Sequence, residues 1–330
     1  MQKRYKWAIL GTGKIANRFA ASLNNIPERA ELLAIGSRSA EAGNTFGDKY
    51  HIPKRYIGYE EVVADPEVDI VYIGTPGVFH KQHVSMCLEA GKHVLCEKAF
   101  TINAREAEDL IRLARRKKLF LMEAMWTRFF PIHVKIRELL ARNAIGKING
   151  MVVNFMAKPP FDIHNRFFDL DLGAGVLMDT GSYGISWAYS LLGKPEQVTG
   201  LAYFGESGAD YSSASILKYP AGQIVTITCS QISYDAKEAI IFGSKGKIEV
   251  HDPWYKPTRM TLHIEGQKPE VFDMPLGNYN GYEFEACAVM DCIEQGKTEC
   301  ELMPLDQTLE IMKTLDEIRA QWGFRYPSER

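Results

Sequence analysis

The sequence predicts an α/β fold, a doubly wound parallel sheet followed by a mostly antiparallel sheet with a few helices. Three observations predict it. A glycine-rich turn, Gly11-Thr12-Gly13-Lys14-Ile15-Ala16, follows directly on the apolar run Trp7-Ala8-Ile9-Leu10. Strand and helix patterns then alternate to about residue 124, as a parallel sheet covered on both faces requires. Beyond residue 125 short strands and tight turns take over. The 330 residues therefore divide into two predicted domains, 1–124 and 125–330.

In order along the first domain, Leu32-Leu33-Ala34-Ile35 is the second strand, and Asp69 to Gly74 is a later one that ends in Thr75-Pro76. A helix from His83 to Ala90 stops at Gly91, a C-terminal glycine. His93-Val94-Leu95-Cys96 is the next strand. Asn103 and Glu106 form an N-x-x-E variant of the capping box and open a helix to about Lys118. Leu119 to Ala124 is one more buried strand.

In the second domain a helix begins at Pro131, a favoured first-turn residue, and carries Ile132, Ile136, Leu139 and Leu140. Met151 to Phe155 reads as a strand, followed by a loop to Gly175 and an apolar helix from about Val176 to Leu192. Strands follow around Val198–Phe204, Ala214–Tyr219, Gln223–Gln231, Glu238–Phe242 and Lys247–His251. Pro220-Ala221-Gly222 turns one hairpin. Helices near Tyr282–Gln295 and Leu305–Trp322 close the chain, with Gly296 and Gly323 as stops. There is no internal repeat and no low-complexity tract.

Composition excludes several classes. Apolar residues make up 46% and charged residues 24%, without a disorder signature. Net charge is -2, and no basic block of the kind that tracks nucleic acid or anionic lipid is present. The densest basic run, Arg115-Arg116-Lys117-Lys118, ends a predicted helix and complements its dipole. No apolar run reaches the roughly 18 residues of a membrane span. Met1-Gln2-Lys3-Arg4 leads straight into a strand, so no signal peptide is expected. The six cysteines, 87, 96, 229, 287, 292 and 300, contain no C-x-x-C pair and read as scattered thiols of a reducing, cytoplasmic compartment. His80 and His83 lack a third ligand, so no metal is expected.

The glycine turn is specific because a strand feeds it and a helix leaves it. Gly11 allows the tight turn, Gly13 lets backbone approach a pyrophosphate on the helix N-terminus, and Ala16 lets helix and strand pack closely. Gly11, Thr12, Gly13, Lys14 and Ile15 are thus the expected dinucleotide contacts. The second strand ends Ile35-Gly36-Ser37-Arg38-Ser39, with no carboxylate before Glu41. An acid at that point would bond the ribose 2′-hydroxyl of NAD. The Ser37 hydroxyl and the Arg38 guanidinium suit a 2′-phosphate instead, so NADP is expected ahead of NAD.

Further motifs stand in a recognisable order: Gly74-Thr75-Pro76 then Phe79-His80, Cys96-Glu97-Lys98, and Gly173-Ala174-Gly175-Val176-Leu177-Met178-Asp179-Thr180-Gly181-Ser182-Tyr183. Over essentially the whole chain this set resembles the glucose–fructose oxidoreductase / inositol dehydrogenase (Gfo/Idh/MocA) family. Glu123 to Pro131 and Asn165-Arg166-Phe167-Phe168-Asp169 resemble its dimeric dihydrodiol dehydrogenase-like branch. The resemblance implies an N-terminal Rossmann domain (1–124) and a substrate-binding and oligomerisation domain (125–330) with a large open antiparallel sheet. It implies a nicotinamide bound between the two and a homodimer formed through the open sheet. It also implies hydride transfer to or from a secondary alcohol or carbonyl carbon of a vicinal diol, dicarbonyl or sugar. The chain departs from the family in three places: Ala99 stands for a proline that tends to take a cis bond, Gly77 stands for asparagine, and Ala174 interrupts a glycine triplet.

Oxidising a secondary alcohol needs a hydride acceptor, a base for the hydroxyl proton and positive charge near the developing alkoxide. Lys98 ends a Rossmann strand on the carboxyl edge, where such folds bind ligands, and the resemblance puts it beside the nicotinamide. Tyr183 follows Asp179 by four residues, so on a helix the two share a face. Many family members carry histidine where this chain has Tyr183. A phenol titrates near 10, and a nearby ammonium favours the phenolate. The expected roles are Tyr183 as general acid/base, Lys98 stabilising charge, and Asp179 holding Lys98 or substrate. Thr75, Pro76, His80, Glu97, Trp126 and Arg128 are expected around the cofactor, with Trp126, Arg166 and Asp169 toward substrate. Two other functions are open to the same fold, a non-catalytic dinucleotide-sensing regulator and a glycosidase that retains its dinucleotide. Retention of Lys98, Asp179 and Tyr183 favours the enzyme over the sensor.

Overall fold

The computed structural model describes residues 3–330; Met1 and Gln2, part of the stretch read for a leader, lie outside the described residues. The chain forms two compact units, one of residues 1–126 with Gly277–Leu309, the other of Thr127–Leu276 with Glu310–Arg330.

The first unit alternates β1 (Tyr5–Leu10), α1 (Lys14–Asn24), β2 (Ala30–Ser37), α2 (Ala40–Tyr50), β3 (Lys54–Ile57), α3 (Glu60–Ala64), β4 (Ile70–Ile73), α4 (His80–Glu89), β5 (His93–Glu97), α5 (Ala104–Lys117) and β6 (Leu121–Ala124). Its six strands are ordered β3-β2-β1-β4-β5-β6, and every pair is parallel. That order reverses between β1 and β4, the crevice in which doubly wound sheets take ligands. Strands β1 and β4 at the centre and β6 at the edge are buried almost throughout because helices cover both faces, which is why they read as apolar runs. The Asn103 side chain accepts from the Glu106 amide at 3.0 Å, as the capping pattern required.

The second unit holds α6 (Pro131–Ala141), β7 (Ile148–Met156), α7 (Ser182–Leu192), β8 (Gln197–Phe204), β9 (Asp210–Lys218), β10 (Ile224–Ser230), β11 (Ala239–Gly243), β12 (Gly246–Val250), β13 (Arg259–Ile264) and β14 (Glu270–Asp273). The sheet runs β14-β13-β12-β11-β7-β10-β9-β8, antiparallel except for the β7–β10 pair. Met151, Val153 and Phe155 point inward from β7, and α7 lies against β7 and β10.

The last helices are α8 (Tyr282–Glu294) and α9 (Leu305–Gln321). A single division near residue 124 assigned both to the second domain. Instead α8 packs against α1 in the first unit, tied by Arg29 to Asp291 at 2.7 Å, and α9 passes between units at Leu309–Glu310. Pairing across 262 residues leaves no periodic signal in either segment.

Candidate active site

The carboxyl edge of the Rossmann sheet is built by close backbone approaches. Gly11 has φ +98°, a conformation side chains rarely adopt, and a Cβ there would stand 3.2 Å from the Gly74 carbonyl oxygen. Its amide donates to Gly36 O at 3.0 Å. A Cβ on Gly13 would meet nothing within 4 Å, and no side chain caps α1. The first amides of α1 are therefore left for an external acceptor, the arrangement that binds pyrophosphate. Ala16 is fully buried, and a Cβ on Gly74 would lie 3.6 Å from its methyl, so helix and strand are in close contact. These residues fit a dinucleotide. Ser37 is buried at the end of β2, whereas Arg38 is exposed after it; Ser39 caps α2 through the Ala42 amide.

Lys98 follows the last residue of β5 and is half-buried. Glu97, buried beneath it, accepts from the Tyr72 hydroxyl at 2.5 Å and from the Lys98 amide at 3.2 Å. The Lys98–Ala99 peptide bond is cis with alanine in the place of the family's proline. Buried His80 bridges two loops, its Nε2 lying 2.8 Å from Thr75 O and its Nδ1 3.1 Å from Ala99 O. Burial lowers the His80 imidazole, opposed by its contacts with the Thr75, Phe100 and Ala99 carbonyls. His80 thus joins the Thr75-Pro76 loop to the Lys98 segment. Beside it the Thr75 hydroxyl meets His83 Nδ1 at 2.9 Å, and burial brings His83 down to about 4.

Trp126, expected toward cofactor and substrate, is 3% exposed and stacks on Tyr282 of α8 with centroids 4.0 Å apart. Glu285, one turn after Tyr282, is fully buried, and neither carboxyl oxygen has a hydrogen-bond partner. Burial, then the neighbouring Glu97, hold this carboxyl well above the ordinary range, so it carries a proton at neutral pH.

In the second unit the helix read from Val176 opens as a π-turn, Leu177–Gly181, before α7 continues it. The wider turn breaks the simple α spacing between Asp179 and Tyr183; π-bulges of this kind recur at functional sites. Asp179 accepts from Arg166 Nη1 at 3.3 Å, and the Arg166 guanidinium lies 4.1 Å from the Phe167 ring centroid. Tyr183 is 8% exposed and lies in an aromatic bed, 5.9 Å from Phe155 and 5.8 Å from Tyr255 between ring centroids. Phe155 and Tyr255 stack on each other at 4.6 Å. The Tyr255 loop is pinned by the Trp254 indole N–H to Asn154 O at 2.9 Å and by Thr127 Oγ1 to Tyr255 O at 2.8 Å.

The structure thus brings Arg166, Asp179 and Tyr183 into one unit, and Glu97, Lys98, Thr75, Pro76 and His80 into the other. Arg128 is also expected around the cofactor. It is 2% exposed, with Nε donating to Ser186 Oγ at 2.9 Å and Nη2 to Ser186 O at 2.6 Å, so the guanidinium is committed inside the second unit. The Asp169 carboxylate accepts from its own loop, at the Asp171 amide. Sequence reading missed Tyr72, Glu285, Phe155 and Tyr255. Phe155 was legible in the alternation of β7, while Tyr255 lies in a turn with no pattern. Among the described residues no group of three or more His, Cys, Asp or Glu side chains could hold a metal ion, and no helix is long and apolar enough to cross a membrane.

Alcohol oxidation requires positive charge near the developing alkoxide and a proton acceptor, chemistry that a lysine and a tyrosine can offer. Comparison with known proteins identifies the family. Residues 5–125 match the model of an oxidoreductase family with an NAD-binding Rossmann fold, and residues 133–249 match the GFO/IDH/MocA C-terminal domain. The chain is 33% identical over 335 residues to trans-1,2-dihydrobenzene-1,2-diol dehydrogenase of Xenopus tropicalis, covering 98% of this chain and 99% of that one. It is 34% identical to D-xylose 1-dehydrogenase (NADP(+)) of Hypocrea jecorina, covering 98% and 93%. Among solved structures, a 3-ketoreductase from Actinomadura kijaniata in complex with NADP and TDP-benzene superposes with a TM-score of 0.86 at 23% identity, over 96% of this chain and 98% of that one. Levoglucosan dehydrogenase in complex with NADH and levoglucosan superposes at 0.89 and 15% identity, over 97% and 98%; both show a shared fold. The chain belongs to the GFO/IDH/MocA oxidoreductase family and is an NAD(P)-dependent oxidoreductase.

Proposed function

We propose that the protein uses NADP to interconvert a secondary alcohol and a carbonyl on a vicinal diol, dicarbonyl or sugar. The bound nicotinamide would supply the hydride acceptor or donor. In the oxidation direction the Tyr183 phenolate takes the hydroxyl proton and Lys98 offsets the negative charge that develops on the substrate oxygen. Asp179, itself held by Arg166, orients a substrate hydroxyl. The observation that carries this reading is the paired support of Lys98, its amide on Glu97 and its segment on His80, in a sheet edge that fits a dinucleotide. Preference for NADP rests on exposed Arg38 after Ser37, with no carboxylate before Glu41.

We also propose a cytoplasmic homodimer formed through the second unit's sheet. The six thiols are unpaired, as in a reducing compartment. Strand register puts Leu201, Ile216, Ile224 and Phe242 on one sheet face, Leu201 being 80% exposed. Apolar side chains grouped this way favour a partner.

The test is NADPH formation from NADP with a panel of vicinal diols, aldoses and polyols, with Lys98→Met beside it. Turnover in the wild type that falls by roughly 10²–10³-fold in the variant is expected. No turnover on any member, or turnover indifferent to the variant, would overturn the assignment. Equal affinities for NADH and NADPH would overturn the cofactor preference.

A further inference from the structure

The loop that launches the Asp179 π-turn is built around a buried carboxylate that belongs to another element. Asp210 opens β9 and is 2% exposed. Its Oδ2 accepts from the Leu177 amide, the first residue of the π-turn, at 2.8 Å. Its Oδ1 fills the space beside Gly175, where a Cβ would come within 2.0 Å of it, and Gly175 has φ +130°. Glycine is thus required there by both backbone and neighbour. Ala174, the methyl in the family's glycine triplet, is buried with Phe168, Ala209 and Tyr211. The Tyr326 hydroxyl donates to Ala174 O at 3.0 Å, and the Arg319 guanidinium lies 5.0 Å from the Tyr326 ring centroid.

We propose that Asp210 is a positioning residue for the reaction: as a carboxylate it fixes the start of the π-turn, and through that turn the set of Asp179 and Tyr183. The helix has no side-chain cap of its own at this end, since Val176 precedes the turn and offers no acceptor. A charged acceptor on an amide at a helix start forms a bond roughly twice as strong as a neutral one. The groups facing Asp210 are the Tyr326 phenol and Arg319 from the C-terminal segment and the Cys229 thiol from β10; Asp179 of the turn acts on Tyr326 and Cys229. Arg319 is drawn off by Glu329 at 2.7 Å and Asp316 at 2.6 Å, so its charge only partly offsets burial. Burial is the leading effect and brings Asp210 up to about 7. The strong acceptor is therefore present above neutral pH and replaced by a weaker neutral one below it.

The inference rests on the reading of Asp179 and Tyr183 as site residues, and its test separates the two. Turnover of Asp210→Asn and Asp210→Ala is measured from acid to alkaline pH, with hydrogen exchange of the 175–183 segment in each. The asparagine carbonyl accepts weakly at every pH, so Asp210→Asn is expected to lose the acid limb near neutrality and stay at the wild type's low-pH kcat, with KM for NADP unmoved. Asp210→Ala removes the acceptor and is expected to lower kcat by roughly tenfold or more at all pH values and to speed exchange of the segment. An acid limb that survives in Asp210→Asn, or exchange of the segment unchanged in Asp210→Ala, overturns the proposal. If Asp210→Ala does not fold, the pH profile of Asp210→Asn decides alone. Exchange is read without turnover, so it stands even if Tyr183 proves not to be the acid/base.

Discussion

Glu285 shows how a single side chain can be placed by chemistry that its own sequence neighbourhood hides. On α8 it reads as one more acid on an amphipathic helix, yet it is fully buried beside Glu97 with both oxygens unpaired. Its folded-state pKa lies well above the 4.5 of an ordinary glutamate, so the native state holds a proton that the unfolded chain releases. Stability from this group is complete below about 4.5 and falls as pH rises toward the folded value, because the unfolded state then binds fewer protons. Glu285→Gln removes that slope. The difference in Tm between variant and wild type is expected to grow in the variant's favour from about pH 5 to about pH 8; a difference independent of pH would count against a protonated Glu285. By contrast the positive φ at Gly11 was legible from the chain alone, since a tight glycine turn between strand and helix demands residue types at fixed offsets. Arg128 was not: a guanidinium next to an aromatic run gives no sign that Ser186 will take it inside.

At the scale of elements, buried segments were legible, the edge strand β6 among them, and short or exposed ones were not. The burial of β1, β4 and β6 leaves apolar runs, and α5 carries a side-chain cap at Asn103. The overlooked β3 alternates half-exposed and exposed residues at the sheet edge, α3 has five residues, and β14 is a short, mostly exposed edge strand. The π-turn at Leu177–Gly181 has no periodic signature, because it differs from an α-helix by one inserted residue. The outer face of β8, β9 and β10 carries its own prediction. Ile216→Lys would set a charge within that apolar group, and a species of about half the wild-type mass by light scattering is expected from charge burial. A wild type already at the mass of one 37.3 kDa chain would contradict the proposed dimer.

For the whole molecule, the change of pattern near residue 125 located the end of the first sheet, but the return of Gly277–Leu309 to the first unit was invisible to local reading. The motif order carried the functional reading further than any element did, because hydride transfer constrains a few residues across the entire chain. Lys98 lies at the end of a parallel strand with its amide on Glu97, and Tyr183 at the start of a buried helix with its ring beside Phe155. The most direct test of this account is Tyr183→Phe, which keeps the aromatic bed and deletes only the hydroxyl, assayed for kcat and for NADPH binding on the best substrate. The account predicts kcat lower by roughly 10²–10⁴-fold with NADPH affinity unchanged; full turnover in the variant would contradict it.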